Sequence, residues 1–254
     1  MRCGSAATDI SGRRKKGMKI AVVIPSFIKD LKNLEKTLQT ISEQTRLPDL
    51  VIVHISSIPS ENILAPLRGK PYPFSFQMVS VPEKRNAAEN RNAGACWVPD
   101  DFDVISFFDS DDWMHPRRIE YIEKAFQEPI DVVLHNILRE TPESFISWDT
   151  VPYVLHTQCC YMKEDSARCY IMIDGDQKAH QSAHISVRRE VCDEVLFPAT
   201  EAISRAEDTL YITQLYHAGF RFGYIECKLS VYIQQSMEYK SEKLIDGGDA
   251  KECI

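Results

Sequence analysis

Glycine is scarce in this chain, and the glycine-rich motifs that cradle phosphate groups are missing. Only 10 of the 254 residues are glycine. Neither the pattern GxxxxGK[ST] of P-loop proteins nor the pattern GxGxxG of dinucleotide-binding folds occurs. A protein with this sequence that binds phosphate must therefore neutralise it with a metal ion or with basic side chains.

Long apolar runs and paired cysteine motifs are missing as well. No apolar stretch approaches the ~20 residues that cross a membrane, and residues 1–17 are not followed by the apolar segment of a signal peptide. The eight cysteines include no C-x-x-C pair, which excludes a zinc ribbon or a thioredoxin-like site. Their scatter through a chain of this length favours reduced thiols. The sequence thus predicts a soluble, cytoplasmic protein.

The charge balance is acidic, and it argues against polyanionic partners. Lysine and arginine number 30, aspartate and glutamate 37, and the formal net charge is −7. Such a surface does not attract nucleic acid or an anionic membrane on average. The hydrophobic fraction of 44% is ample for a packed core. We therefore expect a globular protein whose main partner is not nucleic acid.

The order of apolar runs predicts one α/β domain at residues 18–240, between a tail at 1–17 and another at 241–254. The half at 18–136 alternates strands and helices, whereas the half at 137–240 is less regular. The strands are predicted at Lys19–Ile24 (closed by Pro25), Val51–Ser56, Phe74–Val81, Val104–Phe108, Asp131–His135, Tyr153–Gln158, Arg168–Ile173, Ala183–Val187 and Phe222–Glu226. The main helices are predicted at Lys29–Thr45, Asn86–Trp97, Arg118–Phe126 and Glu207–His217. This pattern is typical of a mostly parallel central sheet flanked by helices.

An acidic turn follows the strand that ends at Phe108. Asp109, Asp111 and Asp112 lie within four residues, where like charges disfavour joint ionisation. Ligands of open α/β sheets bind at the carboxyl ends of strands, and a hard divalent cation would relieve the repulsion. A competing interpretation is a solvated turn that caps the helix starting near Pro116. The position of the acidic turn directly after an apolar strand favours the metal-binding interpretation.

Basic side chains precede the same strand. Lys84, Arg85 and Arg91 are candidates to neutralise phosphate oxygens, and Asn92 follows Arg91. The simpler interpretation is a helix with a solvated basic face, which applies more strongly to Lys84 than to Arg91.

Four segments together carry a family resemblance: IAVVIPSF, NRNAG, FFDSDDW and RAEDTLYITQLYHAGF. In this order and spacing they resemble family 2 glycosyltransferases of the GT-A type, over roughly residues 18–233. The resemblance implies a nucleotide-binding half fused to an acceptor-binding half. It also implies sugar transfer from a nucleoside-diphosphate sugar, of UDP or GDP type, to a sugar-bearing acceptor, with Mn²⁺ or Mg²⁺ as cofactor and inversion at the anomeric carbon.

The resemblance also assigns roles to individual residues. On the donor side it places Pro25, Ser26, Phe27, Arg91, Asn92, Asp109 and Ser110 at the nucleotide sugar, with Asp109 and Asp111 as metal ligands. Asp208 is the expected general base, because a sugar hydroxyl is a weak nucleophile that must lose its proton. A helix N-terminus stabilises the carboxylate anion there and limits its basicity. Residues expected near the donor sugar or the acceptor are Asp112, Trp113, His184 and Glu207.

Two departures from the family pattern concern the nucleotide base and the metal. The second strand ends in VIVHIS, with His54 and Ser56 where many relatives have acidic residues that read the base. Gln235 takes the place of a histidine that relatives use as an extra metal ligand. The identity of the nucleotide therefore stays open.

Two other functions compete with the transferase. A haloacid-dehalogenase-type phosphatase would use Asp109 as nucleophile and Asp111 as acid, but Gly175 and Asp176 lack the later acid of its second motif. A transferase fold that only binds nucleotide or glycan is the non-catalytic alternative, and the altered end of the second strand is the feature that favours it.

Overall fold

The computed structural model describes residues 17–140, 148, 152–157, 161–165, 168–173, 175–178, 180, 182–199 and 207–233. The predicted tails, apart from Gly17, lie outside these residues, and so does Gln235.

The strands and helices are numbered in chain order. The strands are β1 Ile20–Phe27, β2 Leu50–Ser56, β3 Ser75–Ser80, β4 Val104–Phe107, β5 Trp113–Met114, β6 Val132–Glu140, β7 Leu155–His156, β8 Tyr161–Asp165, β9 Arg168–Ile173, β10 Asp176–Lys178, β11 Ser186–Arg188 and β12 Phe222–Ile233. The helices are α1 Leu31–Ser42, α2 Ala65–Arg68, α3 Ala87–Ala95, α4 Arg118–Ala125, α5 Val191–Glu194 and α6 Glu207–His217. Short 3₁₀ helices lie at Ile28–Asp30, Glu61–Leu64 and Ser182–His184.

Nine of the described strands form one sheet in the order β3-β2-β1-β4-β11-β6-β12-β5, with β7 beside β12, and the other three form a separate sheet in the order β10-β9-β8. Strands β3, β2, β1 and β4 run parallel, and β6 and β12 are also parallel. Strand β11 runs antiparallel between β4 and β6. The predicted α/β class with a mostly parallel sheet is confirmed. The parallel run places the carboxyl ends of β1, β2 and β4 at one edge, where the acidic turn begins.

Apolar side chains cover both faces of β1, which is typical of a parallel strand between helical layers. Ile20, Val22 and Ile24 pack in the cluster that contains the inner face of α1 and α4. Ala21 and Val23 pack in the opposite cluster, which contains the buried residues of α3 and α6. The sheet therefore fixes α1 on one side of its carboxyl edge and α3 and α6 on the other.

The prediction that Pro25 closes the first strand is wrong, because β1 continues to Phe27. In β1 the carbonyl of Val23 accepts from Phe108 of the chain leaving β4, so alternate residues from Val23 face β4. Pairing with β4 ends at Val23, whereas pairing with β2 continues to Phe27. Proline has no N–H to donate. At position 25 that N–H would face the side where β4 has already ended, so its absence costs no hydrogen bond between strands.

Three predicted strands in the second half have different bounds. In place of the strand at Ala183–Val187, a 3₁₀ helix precedes β11, because pairing with β4 and β6 starts only at Ser186. The strand at Tyr153–Gln158 shrinks to β7, which pairs with two residues of β12. The strand predicted to end at Glu226 extends to Ile233, since β12 follows β6 along its whole length.

No helix among the described residues is long and apolar enough to cross a bilayer. Three cysteines in the described part of the chain are free thiols: Cys96 is exposed, and Cys192 and Cys227 are buried.

Gly94 allows α3 to pack closely against the sheet, and its replacement tests that packing. A Cβ atom at Gly94 would lie 2.7 Å from Cγ1 of Val23 and 3.4 Å from Cβ of His54. We predict that Gly94→Ala lowers the free energy of unfolding by about 1 kcal/mol, because overpacking costs ~1–3 kcal/mol and exceeds the ~1 kcal/mol gain in helix propensity. Urea unfolding measures the change. In a Val23→Ala background, which removes the close Cγ1, the cost of Gly94→Ala should be smaller, and a rise in the midpoint for Gly94→Ala alone would contradict the prediction.

Candidate active site

The acidic turn after β4 is held in place by two threonines of α1. The hydroxyl of Thr37 donates to the carbonyls of Ser110 and Asp112 at 2.9 and 2.8 Å. The hydroxyl of Thr40 accepts from the backbone N–H of Met114 at 3.1 Å. Both threonines are buried, so the turn is fixed by hydrogen bonds shielded from water. The turn is consequently a rigid part of the fold.

Asp109, Asp112 and His184 converge at this turn. Nε2 of His184 lies 3.0 Å from Oδ2 of Asp112 and 4.0 Å from Oδ2 of Asp109. The ligand atoms of all three lie within 4.8 Å of one another, and within the described part of the chain they form the group suited to hold a metal ion. Asp111, a predicted ligand, is partly exposed and is not a member of this group.

Two atoms of this group are buried without a hydrogen-bond partner. Oδ1 of Asp112 accepts from the N–H of Ile233 at 2.9 Å, but Oδ2 has no partner among the described residues. Nε2 of His184 has none either, because its contact with Asp112 does not have hydrogen-bond geometry. Buried polar atoms are normally paired. A cation between these atoms would satisfy both, so the residues present fit a divalent metal.

The ionisation states of the group agree with that fit. Burial lowers the pKa of His184 to about 3, so the imidazole is neutral and has a lone pair to offer. Burial, followed by the charge of Asp109, raises the pKa of Asp112 well above its usual range. Burial also opposes ionisation of Asp109, but Arg91 outweighs it and the pKa of Asp109 is lowered.

His184 is oriented by three neighbours. Its Nδ1 lies 2.7 Å from Oγ of Ser230, and its ring stacks on Phe108 with centroids 4.2 Å apart. Its carbonyl accepts from Nη2 of Arg118 at 3.0 Å. Since these contacts come from β12, the end of β4 and α4, the ring direction is set by tertiary structure.

Arg118 is a site residue that the sequence analysis missed. Its side chain is fully buried and donates to Oγ of Ser106 at 2.8 Å as well as to His184. Burial lowers its pKa to about 9, so the guanidinium stays charged at neutral pH. The helical spacing in the sequence could have revealed this buried position, because Arg118 lies on the same face of α4 as Ile122 and Ala125, which are both buried.

Arg91 and Asn92 contact protein groups. Nη2 of Arg91 donates to Oδ1 of Asp109 at 2.8 Å, and Nη1 donates to Oε1 of Glu207 at 2.9 Å. The side-chain amide of Asn92 donates to the carbonyl of Phe197 at 2.8 Å and accepts from its N–H at 2.9 Å. The structure therefore joins the two predicted acidic motifs through one arginine.

Asp208 lies in the first turn of α6, and its Oδ1 accepts from the N–H of Thr209 at 2.8 Å. Burial raises its pKa, while Arg91 acts in the opposite direction. Burial is the largest influence, and the pKa of Asp208 is shifted upward, in the direction that favours its predicted role as a base.

The strand-end residues Pro25, Ser26 and Phe27 lie at the carboxyl edge of β1. Phe27 lines a cavity of about 330 Å³ together with Ile28, Lys29, Asp30, Ser57 and Lys84. Ser57 has a φ of 62°, which turns the chain sharply after β2. Pro25 and Ser26 are buried, and Oγ of Ser26 has no hydrogen-bond partner among the described residues. The cavity therefore has an aromatic wall with charged residues around it.

The end of β2 forms a buried polar network in place of the acidic residues of many relatives. Nδ1 of His54 lies 2.9 Å from Oδ1 of Asn90, and Nδ2 of Asn90 donates to Oγ of Ser56 at 3.0 Å. The same amide donates to the carbonyl of Ser26 at 3.3 Å. This network ties α3 to β1 and β2. None of its side chains is a carboxylate.

Trp113 follows the acidic turn as the first residue of β5. It is partly buried, and Nζ of Lys36 lies 5.5 Å from its ring centroid. Its residue partner in β12 is Val231.

Comparison with known proteins gives a family match by sequence. A profile described as glycosyl transferase family 2 matches residues 21–196. A search among curated proteins found no match.

Solved structures with similar folds are glycosyltransferases. The 1–349 fragment of TarS from S. aureus, in complex with UDP-GlcNAc, superposes with a TM-score of 0.60 at 16% identity, covering 88% of this chain and 61% of that one. The mannosyltransferase PcManGT from Pyrobaculum calidifontis, in complex with GDP-Man and Mn²⁺, gives a TM-score of 0.57 at 16% identity, covering 93% and 67%. The chain thus spans less than two thirds of the TarS fragment. At these identities the likeness shows a shared fold, and that fold is GT-A.

Proposed function

The chain belongs to glycosyl transferase family 2, and on that premise we propose that it transfers a sugar from a nucleoside-diphosphate sugar to an acceptor hydroxyl. We propose that the transfer depends on a divalent cation and inverts the anomeric carbon. The observation that carries the proposal is the convergence of two acidic motifs at one sheet edge. Asp109 follows the end of β4, Asp208 lies in the first turn of α6, and the charge of Asp109 is one of the influences that raise the pKa of Asp208.

The donor is proposed to bind at the carboxyl edge of β1 and β2. The cavity beside Phe27 offers an aromatic wall for a base, and Lys29 and Lys84 offer positive charge. TarS and PcManGT were solved with UDP-GlcNAc and with GDP-Man, which supports a nucleotide sugar as the class of donor. In this proposal residues 18–136 bind the nucleotide and residues 137–240 supply the acceptor side.

The cation is proposed to be held by Asp109, Asp112 and His184. The two unpartnered buried atoms support this set over the pair Asp109 and Asp111 that the motif predicts. An imidazole nitrogen with carboxylate oxygens suits Mn²⁺ better than Mg²⁺, and Mn²⁺ is the ion named with PcManGT. A divalent cation bound there would offset the negative charge that develops on the leaving diphosphate.

Asp208 is proposed as the general base. It takes the proton of the acceptor hydroxyl while that oxygen forms a bond to the anomeric carbon and the bond from that carbon to the diphosphate oxygen breaks. Its raised pKa suits this role, since a base works best when its pKa approaches the working pH. One displacement from the opposite face gives inversion.

The first experiment is a screen of UDP and GDP sugars with Mn²⁺. We expect one donor to raise the melting temperature by mass action and to release nucleoside diphosphate, slowly with water and faster with a hydroxyl acceptor. Family membership argues against the phosphatase alternative, and phosphate release from phosphomonoesters serves as its control. Donor binding without any diphosphate release would support the non-catalytic binding module and overturn the proposal.

The assignment of the base is tested by Asp208→Asn. The amide keeps the size of the side chain but cannot accept the proton, so we expect kcat to fall by about 10²–10⁴-fold. The Kd of the donor should stay nearly unchanged, because the base does not hold the nucleotide. Steady-state kinetics and calorimetric titration with nucleoside diphosphate measure the two quantities. Full turnover in the variant would show that another group is the base.

The ligand set of the cation is tested by Mn²⁺ titration, followed by electron paramagnetic resonance with nucleoside diphosphate present. We expect His184→Gln and Asp112→Asn each to weaken Mn²⁺ binding by at least about tenfold, the range known for damaged metal sites. Asp111→Asn, with the same loss of charge as Asp112→Asn, is the matched comparison and should change affinity less. If Asp111→Asn weakened Mn²⁺ binding more than Asp112→Asn did, the ligands would be Asp109 and Asp111, as the motif predicts.

A further inference from the structure

Arg91 is almost closed to solvent and pairs with two carboxylates, while its buried Nε has no hydrogen-bond partner among the described residues. Its side chain is 3% exposed, and its two terminal nitrogens donate to Asp109 and to Glu207. A guanidinium holds two carboxylates in a fixed planar geometry. Little of this side chain is left for a ligand to contact.

Asn92 holds Phe197 by both backbone groups, and Phe197 in turn contacts α6. The two hydrogen bonds of Asn92 satisfy the carbonyl and the N–H of Phe197. The ring of Phe197 stacks on Tyr211 of α6, with centroids 3.8 Å apart, and lies 5.2 Å from the guanidinium carbon of Arg91. Helix α6 is therefore anchored to α3 at Glu207 and one turn later at Tyr211.

The two anchors fix the rotation of α6 about its axis. Glu207 and Asp208 are neighbours on the helix, so their side chains leave it in different directions. With Glu207 tied to Arg91, the direction of Asp208 is determined as well. A misplacement of ~1 Å at a reacting group can cost about 10²-fold in rate.

We infer that Arg91, Asn92 and Glu207 are positioning residues, which hold the first turn of α6 and its base against the acidic turn. This inference rests on the proposed function, since it concerns the placement of Asp208. It replaces the expectation that Arg91 and Asn92 contact the nucleotide and that Glu207 contacts a sugar.

The main test compares turnover with nucleotide binding in Arg91→Lys and Glu207→Gln. A lysine carries one ammonium and cannot pair with both carboxylates in the same geometry. We expect kcat to fall by about 10- to 100-fold, while the Kd of nucleoside diphosphate with Mn²⁺ stays nearly constant. A tenfold rise in that Kd for Arg91→Lys, measured at saturating Mn²⁺ so that any effect on the metal ligand Asp109 is removed, would show a nucleotide contact and overturn the inference, and so would an unchanged kcat.

Arg189 provides a matched control. Its guanidinium also bridges two carboxylates, those of Asp193 at 2.7 Å and Asp100 at 3.0 Å, outside the site. Arg189→Lys should leave kcat and the Kd of nucleoside diphosphate unchanged. Equal losses of kcat in both variants would show a general effect of weakened ion pairs, against the inference.

A double variant tests whether the residues act together. If Arg91 and Glu207 act through one contact, Arg91→Lys combined with Glu207→Gln should reduce kcat no further than the more severe single change. Multiplied losses would show separate roles and overturn the inference.

Hydrogen exchange tests the placement of α6 without any substrate. We expect the amides of Tyr211–Leu215, the first in α6 with intrahelical acceptors, to exchange faster in Arg91→Lys than in the wild type, with no change in β1 and none in Arg189→Lys. Unchanged exchange in α6 would overturn the inference. Because exchange does not need activity, a chain that fails the nucleotide-sugar screen would refute the proposed function and still give a result here.

Discussion

Asp109 and Glu207 can meet beside the end of β4 because a fixed positive charge is buried with them. An unpaired carboxylate in an apolar interior is costly, and breaking a buried pair leaves that cost uncompensated. The guanidinium of Arg91 lies between Asp109 and Glu207 and serves both. Two acidic segments that are far apart in the chain can therefore meet at one sheet edge, and this contact joins α3, the first turn of α6 and the turn after β4.

The parts of the fold that the sequence predicted are those with local signals. Continuous apolar runs identified β2 and β4, and apolar spacing with a following glycine identified α6 with its observed bounds, Glu207–His217. The rule that ligands bind at the carboxyl ends of parallel strands pointed to Asp109 without any knowledge of tertiary contacts. Proline misled the analysis at Pro25, because its effect depends on which neighbour the missing N–H would face.

The surroundings of the acidic turn depend on pairings that no local pattern contains. His184 reaches Asp112 only because β11 inserts between β4 and β6, and because β12 returns along β6 to place Ser230 behind the ring. The inner position of Arg118 could be read from its helical spacing, but a charged residue on a buried face contradicts the usual burial preference. Such residues become predictable only when the partners that satisfy them are known.

The distribution of charge in the site is uneven, and this unevenness supports the proposed cation. Arg91 compensates Asp109 and Glu207, whereas Asp112 faces a neutral imidazole, and burial, followed by the charge of Asp109, raises the pKa of Asp112. Arg118 contributes positive charge nearby, but its described hydrogen bonds go to carbonyl, hydroxyl and imidazole groups and not to a carboxylate. A divalent ion beside Oδ2 of Asp112 would supply the missing charge where the protein leaves an acceptor unsatisfied. In the proposed site the ligands are thus fixed in advance, and a bound ion would complete the electrostatic balance.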